Sequence, residues 1–276
     1  CVLSGVVDAE VHHLPADVST IQYAVDAAVD GDEIIVAPGT YTSTDDEVVD
    51  MRGKEIWLHS SGGAEVTIID GEDSRRVINC TNDETENTII EGFKITRGTH
   101  EHSGAGINCN SSNPSIKSCI LEDNHAMQYG GGGINLQSCY EGLSIEDCIF
   151  KNNTATIANN WEYGGGGIAL YSSSPIILNC IFEGNQSSEH GGAIFGRYSG
   201  SPIITNCTFN ENVSEKTGGA ISTTEYEGTN YVITGCTFIS NTTTGDGGGI
   251  YCLQSTIFDC KFIQNSATEN GGGVFS

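Results

Sequence analysis

The stretch GGGIALYSSSPIILNCIFEGN at residues 165–185 is followed by a near copy, GGAIFGRYSGSPIITNCTFNEN, at residues 191–212. Each copy begins with a glycine cluster and a branched apolar residue. Each then places an aliphatic residue, Cys, a large apolar residue and Asn at successive offsets of three, two and three. Self-similarity at a period of about 20–50 residues is the signature of a repeat architecture. This repeat therefore decides the fold.

Both parts of the unit recur along the chain. The glycine clusters begin at Gly104, Gly131, Gly165, Gly191, Gly218, Gly247 and Gly271. The repeated cysteines are Cys119, Cys148, Cys180, Cys207, Cys236 and Cys260, and the repeated asparagines are Asn124, Asn153, Asn185, Asn212, Asn241 and Asn265. Successive cysteines of this set lie 29, 32, 27, 29 and 24 residues apart. The units tolerate insertions while their short cores stay constant, which is typical of a solenoid.

A unit of about 27 residues has room for two or three strands of four to six residues and for no helix. Within each unit the Cys and the large apolar residue are two apart, so they share one face of a strand. Stacking coils at about 4.8 Å places like residues on like residues and builds interior ladders. We therefore predict an all-β fold: a single-stranded right-handed parallel β-helix over residues 33–276, with its C-terminal end uncapped.

The repeated Cys and Asn then acquire structural roles. We predict that the six cysteines form one apolar column of unpaired thiols, because in-register parallel strands hold Cβ atoms farther apart than the ~3.8 Å that a disulfide prefers. We predict that each asparagine bonds the backbone of its own turn and the side-chain amide of the next coil.

The N-terminal part of the chain departs from the repeat. Ser19-Thr20-Ile21-Gln22 reads as a capping box, and an apolar stripe follows as far as Ala28. We predict a capping helix within residues 19–32 that covers the first coil. Residues 1–18 form an extension with apolar residues at Val2, Val6, Val7 and Val11. Covering the last coil of a neighbouring molecule with this extension would give filaments, because head-to-tail contacts do not close.

Composition excludes some partners. The 276 residues include 36 acids against 11 Lys and Arg, a formal net charge of -25. Such a surface repels phosphate backbones and anionic lipid, so nucleic acid is not an expected partner. No apolar run approaches the ~18 residues of a membrane helix, so no transmembrane segment is expected.

The chain also resembles a known family. Its opening segments at residues 19–22, 27–32 and 34–41 resemble those of extracellular right-handed β-helix proteins of the pectin-lyase-like superfamily. The Gly-Gly-Ala/Gly-Ile and Phe-x-x-Asn signatures are similar to the repeats of chlamydial polymorphic outer-membrane proteins and bacterial adhesin-like β-helix proteins. The resemblance covers about residues 17–276 and implies an extracellular or cell-surface location. It leaves function open, because this fold hosts lyases, epimerases, hydrolases, esterases and adhesive shafts.

Two sets of charged residues are candidate sites. β-Elimination of an acidic sugar needs a base together with a cation or Ca²⁺ at the carboxylate, and the candidate catalytic residues are Lys94, Arg97, Lys117 and His125. Carboxylates in loops suit Ca²⁺, and the candidate metal ligands are Asp70, Asp73, Glu122, Asp123, His100 and His102. The alternative for both sets is an ordinary solvated surface.

Aromatic residues in the longer loops form a third candidate site. They are Tyr129, Tyr140, Trp161, Tyr163, Tyr198 and Tyr226. They would form a sugar-stacking stripe or merely shield the corners of the coils.

The uniform repeat favours a structural role, because enzymes break local rules at their sites. We predict a non-enzymatic, extracellular structural or adhesive β-helix shaft of a bacterial surface or secreted protein. It would bind carbohydrate or another cell-surface ligand and would self-assemble end to end. The alternative is a carbohydrate-active enzyme, a Ca²⁺-assisted polysaccharide lyase or epimerase acting on an acidic polysaccharide, with Ca²⁺ as the candidate cofactor.

Overall fold

The computed structural model describes residues 9–140, 142–157, 163–224 and 230–276. The chain winds into an all-parallel right-handed β-solenoid of about nine turns, with one short helix near its N-terminus. The fold predicted from the repeat is confirmed.

The strands, numbered in chain order, stack into four parallel sheets, which we name I to IV in the order in which a coil visits them. Sheet I contains β1 (Val11–Leu14), β2 (Glu33–Val36), β5 (Trp57–Ser60), β8 (Ile89–Glu91), β12 (Ser115–Lys117), β16 (Ser144–Glu146), β20 (Ile176–Leu178), β24 (Ile203–Thr205), β28 (Tyr231–Thr234) and β32 (Ser255–Phe258). Sheet II contains β3 (Gly39–Tyr41), β6 (Thr67–Asp70), β9 (Lys94–Thr96), β13 (Ile120–Glu122), β17 (Ile149–Lys151), β21 (Ile181–Glu183), β25 (Thr208–Asn210), β29 (Thr237–Ile239) and β33 (Lys261–Ile263). Sheet III contains β10 (Thr99–His100), β14 (His125–Ala126), β18 (Thr154–Ala155), β22 (Gln186–Ser187), β26 (Val213–Ser214), β30 (Thr242–Thr243) and β34 (Ser266–Ala267). Sheet IV contains β4 (Glu47–Asp50), β7 (Arg76–Cys80), β11 (Ile107–Asn110), β15 (Ile134–Gln137), β19 (Ile168–Tyr171), β23 (Ile194–Arg197), β27 (Ile221–Thr223), β31 (Ile250–Tyr251) and β35 (Val274–Phe275).

Each complete coil thus has four strands, one more than the spacing suggested. The difference lies in the corners, which take very few residues. Asn179, just before the repeated Cys180, has φ 55°, and Gly184, just before the repeated Asn185, has φ 63°. A left-handed residue reverses the chain direction sharply, and Asn and Gly adopt that conformation most readily. Tight corners leave room for the two-residue strands of sheet III.

Two of the interior columns are formed by phenylalanine rings and by cysteine thiols. The rings of Phe150, Phe182, Phe209, Phe238 and Phe262 stack face to face with centroid separations of 4.6, 4.8, 4.7 and 4.9 Å. Beside them, the thiol of Cys148 donates to the carbonyl oxygen of Ile116 in the preceding coil at 3.7 Å, and the same contact repeats from Cys119 to Cys260. The ten cysteines within the described ranges are all free thiols.

The repeated asparagines form a third column at the corner between sheets II and III. The Asn185 side chain donates to the carbonyl oxygen of Phe150 at 2.9 Å and to Oδ1 of Asn212 at 3.0 Å. Its own Oδ1 accepts from the backbone N–H of Asn153 at 3.1 Å. The backbone partner therefore belongs to the preceding coil and not to the residue's own turn, as the sequence had led us to expect. All of these bonds run along the axis and join three successive coils.

The N-terminal helix α1 spans Ile21–Ala27. Its N-cap is Thr20, whose hydroxyl accepts from the N–H of Tyr23 at 3.1 Å, one residue later than the capping box predicted. The side chain of Gln22 instead bonds both the N–H and the carbonyl oxygen of Asp50, in the terminal strand of sheet IV, at 2.6 and 3.2 Å. This side chain satisfies backbone groups that a further strand would otherwise pair.

Part of the predicted extension belongs to the solenoid itself. Val11–Leu14 form β1, which pairs in parallel with β2 as the terminal strand of sheet I. Val2, Val6 and Val7, also expected to reach a neighbour, lie outside the described residues. No helix in the described parts of the chain has the length and apolarity needed to cross a bilayer.

Candidate functional site

The three candidate catalytic cations lie on different faces of the coil. Lys94 is on sheet II, Lys117 is on sheet I, and Arg97 occupies the corner after β9. The ammonium of Lys94 is 3.1 Å from Oε2 of Glu122, and Arg97 forms an ion pair with Asp70. The structure therefore does not bring these cations together around one substrate carboxylate.

The candidate metal ligands are similarly dispersed. Asp70 and Asp73 both contact Arg97, and Glu122 lies between Lys94 and Lys151. Asp123 is an exposed corner residue. Within the described ranges, no group of three or more His, Cys, Asp or Glu residues is arranged to hold a metal ion. Calcium binding stays a prediction that these positions do not test.

The candidate histidines separate as well. His125 pairs with Thr99 in sheet III, whereas His100 pairs with Ala126, one position farther along the register. Neighbouring register positions face opposite sides of a strand, so the two rings point apart. His100 lies against Arg76, and burial together with the Arg76 charge lowers the pKa of His100 to about 4. Burial also lowers the pKa of His125. The His102 ring is exposed and lies 5.7 Å from that of Tyr129.

A further, half-buried histidine, His190, makes stability depend on pH. Burial, then the charges of Lys216 and Arg197, lower its pKa to about 4 from an ordinary value of 6.5. In the unfolded chain His190 is protonated below about pH 6.5, whereas in the folded chain it is protonated only below about pH 4. The free energy of unfolding therefore falls as the pH drops from 6.5 to 4. We expect His190 to lower the free energy of unfolding by about 1 to 2 kcal/mol between pH 7 and pH 5. Urea unfolding of His190→Gln at both pH values should show a smaller pH effect than the parent chain. The exposed His13→Gln should retain the parent effect, and an unchanged pH effect in His190→Gln would contradict this assignment.

Four tyrosine rings from three successive coils meet beside sheet IV. Tyr129 and Tyr163 lie in turns that lead from sheet III into sheet IV, Tyr171 ends β19, and Tyr198 follows β23. Ring centroids are 4.9 Å apart for Tyr129 and Tyr163, 5.6 Å for Tyr163 and Tyr171, and 6.5 Å for Tyr171 and Tyr198. The hydroxyl of Tyr171 donates to the carbonyl oxygen of Tyr129. Burial raises the pKa of Tyr163 and Tyr171, so these phenols are neutral near pH 7.

These rings enclose a space of about 300 Å³, which we call the tyrosine cavity. It is lined by Ser103, Tyr129, Asn135, Gln137, Tyr163, Tyr171 and Tyr198. Of the six aromatics predicted to form a stripe, Tyr129, Tyr163 and Tyr198 line it and Tyr140 does not, while Trp161 and Tyr226 lie outside the described residues. The arrangement is a concave site with aromatic walls and a few polar groups, which suits a small organic ligand.

Asn135 ends a second asparagine ladder, on the outward face of sheet IV. Its Nδ2 donates to Oδ1 of Asn108 at 2.9 Å, and Nδ2 of Asn108 donates to Oδ1 of Asn79 at 3.1 Å. The next position in the register is Ala169, which has no amide to continue the ladder. The Asn135 side chain is only 1% exposed, and its Oδ1 accepts no hydrogen bond from the described part of the protein.

Sequence reasoning missed Tyr171 and Asn135. Both were accessible from the repeat, because the residue after the branched apolar residue of each glycine unit is Asn108, Asn135, Ala169 and Phe195 in successive coils. Reading down that column shows where the asparagines stop. The pattern does not show that tyrosines from three loops gather at that point.

The comparison with protein families agrees with the fold over the C-terminal part of the chain. Residues 154–276 match the family model described as "Right handed beta helix region". Among solved structures, the chain is similar to a pectin methylesterase from carrot (12% identity, TM-score 0.47, covering 97% of this chain and 87% of that chain). It is also similar to an alginate lyase from Paenibacillus sp. str. FPU-7 (14% identity, TM-score 0.42, covering 97% of this chain and 99% of that chain). No match was found among curated proteins.

Proposed function

We propose that this chain is a non-enzymatic structural and adhesive β-helix of a secreted or cell-surface protein, a stiff shaft that presents a binding face. The supporting observation is the continuity of the buried asparagine ladder. From Asn124 to Asn241, each side chain donates to a carbonyl of the preceding coil and to the amide of the next coil.

Such a ladder has a mechanical consequence. In a solenoid each coil contacts only its neighbours, so bending or separating coils must break contacts at one interface. The buried amide bonds and the stacked phenylalanine rings repeat at every interface from Phe150 to Phe262. The interior is thereby constant from coil to coil, while outward residues and loops vary freely to meet a ligand.

Two features weigh against the lyase alternative. Lys94 and Lys117 lie on different sheets, and the charge of Lys94 is balanced by Glu122. A lyase acting on an acidic polysaccharide needs its cations around one carboxylate, and the net charge of -25 repels a polyanion.

End-to-end self-association is part of this proposal. Among the described residues, β1 is the terminal strand of sheet I, and no described strand pairs with its outer edge. An exposed strand edge readily pairs with another chain.

The proposal predicts no enzymatic turnover. We expect alginate, pectate and glycosaminoglycans to give no new absorbance at 235 nm from an unsaturated product, with or without added Ca²⁺. Turnover that Lys94→Ala or Lys117→Ala abolishes would overturn the structural assignment. A Ca²⁺-dependent change in thermal stability in the same samples would establish calcium binding separately.

Electron microscopy of the concentrated chain should show lengthwise assemblies, and dispersed short rods alone would count against self-association.

A further inference from the structure

We infer that the tyrosine cavity binds one ring of an uncharged saccharide, with Oδ1 of Asn135 accepting a hydrogen bond from a sugar hydroxyl. This inference deepens the proposed adhesive function and rests on it by giving the binding face a location and a ligand class.

Asn135 lines the cavity, and its side-chain oxygen accepts no hydrogen bond from the described part of the protein. Buried polar groups in proteins are almost always hydrogen-bonded, and leaving one unsatisfied destabilises the folded state. Nδ2 of Asn135 donates to Asn108 in the preceding coil, and this bond fixes the orientation of the amide. Oδ1 of Asn135 is therefore on the side of the next coil, where the register position is Ala169. In the asparagine ladder between sheets II and III, the side-chain oxygens of Asn153 and Asn185 are each satisfied by the amide of the preceding coil. At Asn135 a ligand hydroxyl is the missing donor.

The walls of the cavity suit the apolar faces of a sugar ring. Tyr129 and Tyr163 meet edge to face at an interplanar angle of 85°, so they form two sides of a corner and not a closed stack. Aromatic rings offer broad, rigid apolar surface at low entropic cost, and tyrosine hydroxyls add hydrogen bonds at the rim. The exposed amide of Gln137 lies at the same rim and can donate or accept. Alternating apolar faces and hydroxyl edges are the chemistry of a pyranose.

The groups around the cavity disfavour charged ligands at its floor. The guanidinium of Arg197 lies 5.2 Å from the centroid of Tyr163 and 5.0 Å from that of Tyr198. A cation attracted to the tyrosine rings would meet this positive charge at short range. Arg197 would attract a carboxylate at the rim, but a carboxylate at the floor would place its oxygens against the side-chain oxygen of Asn135, and a polyanion would approach a chain of net charge -25. An uncharged, hydroxyl-bearing ligand avoids both repulsions.

Calorimetric titration with neutral hexasaccharides tests the inference. The probes are hexasaccharides of β-glucan, β-galactan and mannan, together with hexagalacturonate and a proline-rich peptide of similar length. We expect at least one neutral hexasaccharide to bind, and both hexagalacturonate and the peptide to bind at least tenfold more weakly. Tyr129→Ala and Asn135→Ala should each weaken neutral saccharide binding at least tenfold. Tyr140→Ala removes a tyrosine that is 51% exposed and outside the cavity, and it should stay within twofold of the parent.

Negative results would distinguish a failure of the saccharide site from a failure of the proposed structural function. No binding by any neutral hexasaccharide, or binding that Tyr129→Ala leaves unchanged, would overturn the saccharide site without touching the structural role of the shaft. Preference for the peptide would replace saccharide with a polypeptide ligand and would also overturn the inference. Lyase turnover would overturn the proposed function while leaving saccharide binding at the cavity intact. Thermal unfolding of Asn135→Ala checks its fold, and Tyr129→Ala, at a partly exposed ring, provides the second variant.

Discussion

Replacing Asn185 with alanine is expected to destabilise the chain by about 3 to 6 kcal/mol, a large fraction of the ~5–15 kcal/mol of a typical domain. The carbonyl oxygen of Phe150 and the backbone N–H of Asn153 each lose a partner at a fully buried position. An unsatisfied buried group costs about 1–3 kcal/mol, and the small cavity left by the amide adds to that. Urea unfolding followed by circular dichroism measures the loss.

Two variants separate hydrogen bonding from cavity formation. Asn185→Asp keeps the shape of the side chain but places a carboxylate oxygen against the Phe150 carbonyl, so we expect a loss at least as large. Asn265→Ala removes the half-buried last member of the ladder, where water can satisfy the exposed groups, and should cost about 1 kcal/mol. Equal losses for Asn185→Ala and Asn265→Ala would show that the ladder bonds do not carry the stability.

Replacing Phe209 with alanine should cost about 3 to 5 kcal/mol, the usual range for a phenylalanine removed from a packed core. Its ring is fully buried between Phe182 and Phe238, with centroids 4.8 and 4.7 Å away. The interior of the solenoid is narrow across its axis. Few other side chains are therefore near enough to fill the space left by the ring. Urea unfolding measures this loss as well.

Phe258 supplies a matched control on a neighbouring sheet. Its side chain is 69% exposed, so Phe258→Ala should change stability by no more than about 0.5 kcal/mol. Phe209→Leu preserves most of the buried volume and should cost about 1 kcal/mol. A loss for Phe209→Ala close to that for Phe258→Ala would argue against a tightly packed ring column.

The fold was predictable because a β-helix repeats its physical demands once per coil. The interior is so narrow that each repeat unit places a large apolar side chain, a small thiol and a corner amide at the same offsets. The repeat at Cys180, Phe182 and Asn185 therefore shows the interior columns before any coordinate is known. The second partner of each amide was not predictable, because the carbonyl that it reaches belongs to the preceding coil, and only the stacking of coils brings the two groups within hydrogen-bond distance.

The charged candidates show the opposite case. Lys94, Arg97 and Lys117 were grouped as candidate catalytic residues because they lie on or near adjacent coils. Sharp corners turn the chain between sheets, so Lys94 and Lys117 face different directions even though their coils touch. Residues of adjacent coils do not necessarily share a face. Within one coil the chain passes to a different side of the solenoid every few residues.

The sequence by itself determined the parallel β-helix, its interior columns and the departure from the repeat near the N-terminus, since each depends on a periodicity that stacking preserves. Only the tertiary structure decided where a ligand would bind. The tyrosine cavity is formed by Tyr129, Tyr163, Tyr171 and Tyr198 from three coils, at the point where the outward asparagine ladder stops at Ala169. Loops of unequal length supply two of those rings, and the path of such a loop is set by packing between coils, which no repeat encodes.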